Sequence, residues 1–196
     1  MYRSIRMRVE PDAEQRAFLD ASIEVNRIMY NGLITYCKLY FSENGCLPSS
    51  NQLNNVCTQI WQNHECFHSV YQNTMNYTSK KVLQAFRSCN PEYGFKSRGR
   101  RREDGTGEGA VILRSPRYRK QRNFDSFGYL SNKSFRVVEY RSGSGRIRRG
   151  LKLGKMGGIL RCYNQSTPIG GVPKTVTITR RYMGTHYEYF ATIQYE

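Results

Sequence analysis

The feature that most restricts this chain is its first strand. In MYRSIRMRVE, Ile5, Met7 and Val9 alternate with Arg6 and Arg8, which is the period of a strand with one buried face and one basic outer face. Pro11 and Asp12 follow at once. Proline suits the start of a helix and aspartate caps its free amides, so the strand ends there and a helix begins. A strand with no neighbour in sequence must find its partners far along the chain, since backbone groups left unpaired are costly. The fold therefore has to bring distant segments back to residues 1–11, and what lies between is expected as an insertion.

That insertion reads as helices. From Ala13 to about Tyr40, Phe18, Ala21, Val25, Ile28, Met29, Leu33, Tyr36 and Tyr40 recur at steps of three and four, the spacing of an apolar helix face. SENGCLPSS is a loop, and a shorter helix follows with Leu53, Val56 and Ile60 on one side. HECFHS breaks it. A third helix carries Met75, Val82, Ala85, Phe86 and Cys89, and Pro91 and Gly94 stop it. Residues 12–92 thus form a helical unit. Residues 93–115, with KSRGRRREDGTGEG, are too charged and glycine-rich to order themselves and are expected as a linker.

Residues 116–196 change to strand and turn. The expected strands are Phe135–Tyr140, Ile147–Leu153, Gly158–Tyr163, Lys174–Tyr182 and His186–Tyr195, the last two joined through Met183-Gly184-Thr185. Short antiparallel strands with glycine and proline turns suggest a small β-barrel that the first strand completes. The fold class is α+β.

Charge sets the partner. Lys and Arg outnumber Asp and Glu by 31 to 15, a formal net charge of +16, and such an excess draws phosphate-rich ligands. Fifteen tyrosines within a 13% aromatic content suit a folded binder better than a basic tail. No apolar run has transmembrane length and the amino terminus has no signal-peptide h-region, so an intracellular, membrane-free location is expected. The six cysteines form no CxxC pair. The cluster His64-Glu-Cys66-Phe-His68 supplies too few ligands for a tetrahedral site. Acidic residues are few and unclustered, His64, His68 and His186 have no evident nucleophile partner, and LGKMGG (Leu153–Gly158) lies between strands rather than at a helix start. No catalytic residue, metal or cofactor is expected.

Binding residues are plentiful. In RSPRYRKQRNFDSFGY (Arg114–Tyr129), Arg114, Arg117, Arg119, Lys120 and Arg122 can each meet a phosphate, as can Arg6 and Arg8 on the first strand. Tyr118, Phe124, Phe127 and Tyr129 can either stack on exposed bases or fill a core. Gln72, Asn73, Asn76, Tyr77, Thr78 and Lys80 place amides, hydroxyls and a cation along one side of the third helix. That side could read a groove or serve as ordinary polar surface.

Taken together, the order of motifs resembles the amino-terminal half of TnpB, the RNA-guided nuclease family of bacterial and archaeal insertion sequences, related to compact type V CRISPR effectors. The matching pieces are Arg6–Val9, Pro11, Gln15, Tyr30-Asn31, PRYRKQR (Pro116–Arg122) with Ser126-Phe127, KLGKMGG (Lys152–Gly158), and VTITRRYMGTHYEYFATIQYE. The resemblance implies an oligonucleotide-binding-like barrel, the wedge, with a helical, helix-turn-helix-like recognition unit inserted after its first strand. It implies guide RNA and double-stranded target DNA as partners, in a bacterial or archaeal cytoplasm near the nucleoid. Readers of a short DNA motif would fall at Ser49, Gln72, Asn76, Ser131 and Asn132, with Asn73, Thr78 and Lys80 nearby. Lys152 and Lys155 would join the backbone-binding set. The family often has an aromatic at the Ser49 position and a lysine at the Gln72 position, and the insertion RGRRREDGTGEG is a further departure. A metal-dependent RuvC-like domain would begin where this chain ends, at Glu196. This chain is therefore expected to hold nucleic acid without cutting it, with a separate RuvC chain or a second copy as a further partner. A guide-independent helix-turn-helix regulator is the alternative.

Overall fold

Strand β1 (Arg3–Glu10) and the 32-residue helix α1 (Ala13–Asn44) meet at a capping box. The Asp12 carboxylate accepts from the Gln15 amide at 2.9 Å, and Gln15 Oε1 accepts from the Asp12 amide at 3.3 Å. Two of the orphan donors of the helix start are satisfied this way. Gly45, at φ 65°, ends α1 in the left-handed conformation that glycine adopts without strain, its amide donating to Phe41 O. Helix α2 (Ser50–Asn63) starts on a second capping box, Ser49 with Gln52. A 3₁₀ turn, Glu65–Ser69, leads to α3 (Gln72–Cys89). The computed structural model describes residues 3–90, 113–130, 133–163 and 171–196. Pro91, Gly94 and nearly all of the expected linker lie outside these, as do Ser131 and Asn132.

The helices pack on an apolar core of Leu19, Ile23, Leu33, Ile34, Cys37, Leu53, Cys57, Met75, Val82 and Phe86. Inside it runs a polar thread. Thr78 Oγ1 donates to Asn26 Oδ1 at 2.7 Å, while Asn26 Nδ2 donates to Thr74 Oγ1 and to Ser22 O. A satisfied buried amide of this kind fixes the axial register of α1 against α3, because any slip leaves a desolvated donor without a partner. The Cys37 and Cys57 thiols lie in the same core, and burial pushes both up to about 12, which makes them inert.

The strands β2 (Ser126–Tyr129), β3 (Phe135–Arg141), β4 (Ile147–Leu153), β5 (Leu160–Tyr163), β6 (Pro173–Tyr182) and β7 (Tyr187–Tyr195) join β1 in one antiparallel sheet. Its order is β2-β6-β7-β1-β5-β4-β3. The lone first strand thus pairs on both sides with strands from the far end of the chain. The closed barrel expected from sequence is corrected. The ladder stops at β2 and β3, and no backbone pairing joins those edges among the described residues. The sheet nonetheless curls strongly, for Tyr129 on edge strand β2 donates to Gly154 O at 3.1 Å, just past β4. In a flat sheet β2 and β4 would be about 24 Å apart at the usual strand spacing, beyond the reach of a tyrosine side chain. Met7, Val9, Phe127, Tyr129, Leu151, Leu160, Val176, Ile178, Ala191 and Ile193 fill the concave side.

Side chains of α1 tie the two parts together. The Asp20 carboxylate accepts from Arg180 and from the Tyr189 hydroxyl, both at 2.8 Å. Gln15 Nε2 donates to Gly157 O at 3.3 Å. No described helix is long and apolar enough to cross a membrane.

Candidate nucleic-acid interface

The segment from Leu113 to Asn123 has no long regular structure of its own, so its shape comes from what holds it. Asn90 grips one end, accepting from the Arg114 amide at 2.9 Å and donating to the Arg114 carbonyl at 2.7 Å. Asn31 of α1 does the same further on, accepting from Arg119 N at 2.8 Å and donating to Arg119 O at 3.0 Å. Arg27 adds a donor to the same carbonyl at 3.2 Å while its other nitrogens engage Glu24. That pairing holds the Glu24 carboxyl below its ordinary range. The Tyr118 hydroxyl meets Thr35 at 3.1 Å and accepts from Lys38 at 3.4 Å, and these bonds lower its pKa. Tyr30 packs on Phe124, ring centroids 5.7 Å apart. The Tyr30-Asn31 pair therefore has a physical meaning: one residue anchors the apolar end of the segment and the other its backbone.

Because the backbone is gripped from α1, the charged side chains point outward. Arg117, Arg119, Lys120 and Arg122 are all exposed, and among the described residues none has a carboxylate within ion-pair distance. Unneutralised cations on a pinned backbone are well suited to phosphates, since little ordering entropy is left to lose on binding. Tyr118 is 50% exposed and remains free to stack on one face. Its other contact is the Lys38 ammonium, 4.7 Å from the ring centroid.

A second basic surface covers the convex side of the sheet. Arg6 lies 4.3 Å over Phe190, and Arg148 lies 5.6 Å over Tyr163. Arg8 sits opposite both Phe190 and Tyr163 in the ladders and pairs with Glu188 at 3.0 Å. Arg136 and the exposed Lys152 are register partners on β3 and β4. Lys155 is engaged internally, donating to His68 O at 2.5 Å with its ammonium over the Trp61 ring.

Two expected contacts are corrected. Phe127 is fully buried on the concave side of the sheet, so it is core and cannot stack on a base. Thr78 is 1% exposed and spends its hydroxyl on Asn26, so it cannot face a groove. Of the other α3 residues, Gln72 donates to Thr58 at 2.8 Å and Asn73 accepts from Leu130 N at 2.8 Å. Ser49 caps α2. Asn76 keeps a buried Oδ1 with no partner among the described residues, and Lys80 is exposed. Ser131 and Asn132 fall outside the described residues.

His68 Nε2 donates to Trp61 O, 2.6 Å away, and no metal-holding group exists among the described residues. The sequence reading named Asn31 only as part of a motif and missed Thr35 and Lys38, although the i, i+4, i+7 spacing of the three marks a polar face on α1. It also missed Lys81, and the aromatic-backed arginine Arg148 on a strand.

A strand, a capped helix, a glycine-ended turn and a second capped helix define an α+β protein whose helical region has helix-turn-helix order. Residues 1–46, spanning β1, α1 and the Gly45 turn, match the family model HTH_OrfB_IS605, a helix-turn-helix domain, so the amino-terminal region is like that of IS605 OrfB. A comparison with curated proteins returned no match.

Proposed function

We propose that this chain is the nucleic-acid-gripping part of a transposon-associated, TnpB-like protein. In this reading, the 114–122 segment and the convex face of the sheet hold the phosphates of a guide RNA scaffold. The exposed part of α3, together with Ser131 and Asn132 in the sequence after β2, approaches the DNA duplex beside the target. The helices would be the recognition unit and the curled sheet an oligonucleotide-binding-like wedge. A RuvC-bearing segment, or a second copy of the chain, would be a further partner.

The observation that carries this reading is the row Arg117, Arg119, Lys120 and Arg122. These side chains are exposed, without described carboxylate partners, on a backbone clamped by Asn31 and Asn90. Proteins of guided systems read backbone shape and a short motif while base pairing reads sequence, and a clamped arginine row suits that task. The match of residues 1–46 to an IS605 OrfB helix-turn-helix adds the transposon context.

Purification from a host carrying the element, followed by sequencing of bound RNA, tests the proposal. A discrete transcript from the element's end is expected. Recovery of random fragments only, with binding indifferent to added transposon-end transcript, would sink it. The same family match favours a second reading, a guide-independent helix-turn-helix regulator. Selection on random duplexes without RNA separates the two, because that reading demands a defined site and the first does not.

A further inference from the structure

A pocket of about 380 Å³ opens between α1, α3 and the start of β2, where Lys81, Arg119, Gln84, Asn123, Tyr30 and Phe124 converge. Its size is at the small end of ligand sites, room for one ring and a phosphate rather than a folded strand. Lys81 is the unusual member. It is partly buried, donates to Ser126 Oγ at 3.0 Å and lies 4.8 Å from the Tyr77 ring. No described carboxylate pairs with it. The one carboxylate on the rim, Asp125, is engaged by Arg180 at 3.3 Å.

Two cations therefore face one cavity whose rim carboxylate, Asp125, is already engaged by Arg180. Loss of hydration, and secondarily the charge of Arg119, pull the Lys81 ammonium down to about 8. An anion in the pocket would relieve the second of these and would offset much of the first. Gln84 and Asn123 are exposed at the rim, and amide side chains can bond base edges in pairs. Tyr30 and Phe124 supply an apolar wall.

We propose that this pocket receives a single unstacked nucleotide of the bound strand, its phosphate on Lys81 and Arg119 and its base edge on Gln84 and Asn123. The inference rests on the nucleic-acid reading above and adds a specific place to it. A strand lying along the arginine row runs past the pocket at Arg119, so one nucleotide turned inward would be held while its neighbours stay on the surface.

The test titrates the intact protein with AMP, with inorganic phosphate and with a single-stranded 12-nucleotide RNA, for wild type, Lys81→Met and Arg119→Ala. AMP is expected to saturate one site at least tenfold more tightly than phosphate. Lys81→Met should weaken AMP at least tenfold and RNA by three- to tenfold. Arg119→Ala alters an exposed side chain, keeps the fold, and should weaken AMP as well. RNA binding with no AMP binding, or AMP binding indifferent to both substitutions, would overturn the pocket and leave the wider reading standing. Phosphate binding as tightly as AMP would reduce the pocket to an anion site and overturn the nucleotide assignment. Failure of the wild type to bind RNA at all would instead overturn the reading on which the pocket depends.

Discussion

Asn31 makes two hydrogen bonds to the backbone of Arg119, so its side chain determines where a charge sits without carrying any charge itself. Asn31→Ala is expected to lower stability by about 1–2 kcal/mol, the usual loss for such bonds. It should also weaken nucleic-acid binding while leaving the slope of log affinity against log salt unchanged, because every cation is still present. Urea denaturation and a salt-titrated binding assay measure the two effects. Lys81 behaves in the opposite way, since its folded value of about 8 lies below the ordinary 10.5. Between those values the unfolded chain holds a proton that the folded chain has released, so this group makes stability rise with pH across that window. Lys81→Met should remove the burdened ammonium and raise stability at pH 7 by about 1–2 kcal/mol, below the limit the full shift would set. The gain should shrink as pH climbs from 8 towards 10.5. Comparing the two proteins at each pH cancels the tyrosines that titrate in both. A variant that gains stability as it loses binding is the behaviour expected of a residue kept for its ligand.

At the scale of elements, α3 reaches the sheet only because β2 contains a glycine. A Cβ at Gly128 would lie 2.8 Å from the Tyr77 ring and 2.8 Å from the Val176 carbonyl, and a ladder carbonyl cannot step aside. Gly128→Ala is expected to destabilise by about 1–3 kcal/mol, and by less when Tyr77 is already alanine. Tyr77→Phe loses only the 2.8 Å hydroxyl bond to Thr177, about 1 kcal/mol. Thermal unfolding of the single and double variants gives the coupling directly. This contact also shows what could be read in advance and what could not. The helices and the β6–β7 hairpin follow from local periodicity, capping residues and turns, and these are written in neighbouring residues. Strand β2 is four residues long with a glycine in it, too short to show a period. Its identity depends on Tyr77, some fifty residues earlier. The same separation hid the Asn31 clasp and the pocket at Lys81, and it left Phe127 equally plausible as core or as a stacking ring until the curl of the sheet placed it inside.

For the whole molecule, helices and sheet share one continuous apolar core, and a polar clasp from α1 reinforces it. Asp20 holds both Arg180 and Tyr189 at 2.8 Å, and Asp20→Ala would leave a mostly buried guanidinium with one carboxylate and a phenol with none. A loss of about 2–3 kcal/mol is expected, measurable as a lower denaturation midpoint. The arginine row acts on the same scale through the salt law. Replacing Arg117, Arg119 and Arg122 together by alanine should flatten the salt dependence on duplex DNA by up to about 2.7 in slope. RNA and DNA binding should weaken together, since these are backbone contacts. An unchanged slope would remove the row from the interface. The place of β1 adds a consequence for synthesis. β1 leaves the ribosome before the other six strands of the sheet and lies in its middle, while both of its neighbours, Leu160–Tyr163 and Tyr187–Tyr195, emerge roughly 150 residues later. At about 5–20 residues per second, RSIRMRVE waits on the order of ten seconds or more with its ladder groups unpaired. Arginine at every second position on one side is a known guard against wrong edge-to-edge pairing. Arg6 and Arg8 thus serve the nascent chain first, keeping an orphan strand soluble until its partners arrive.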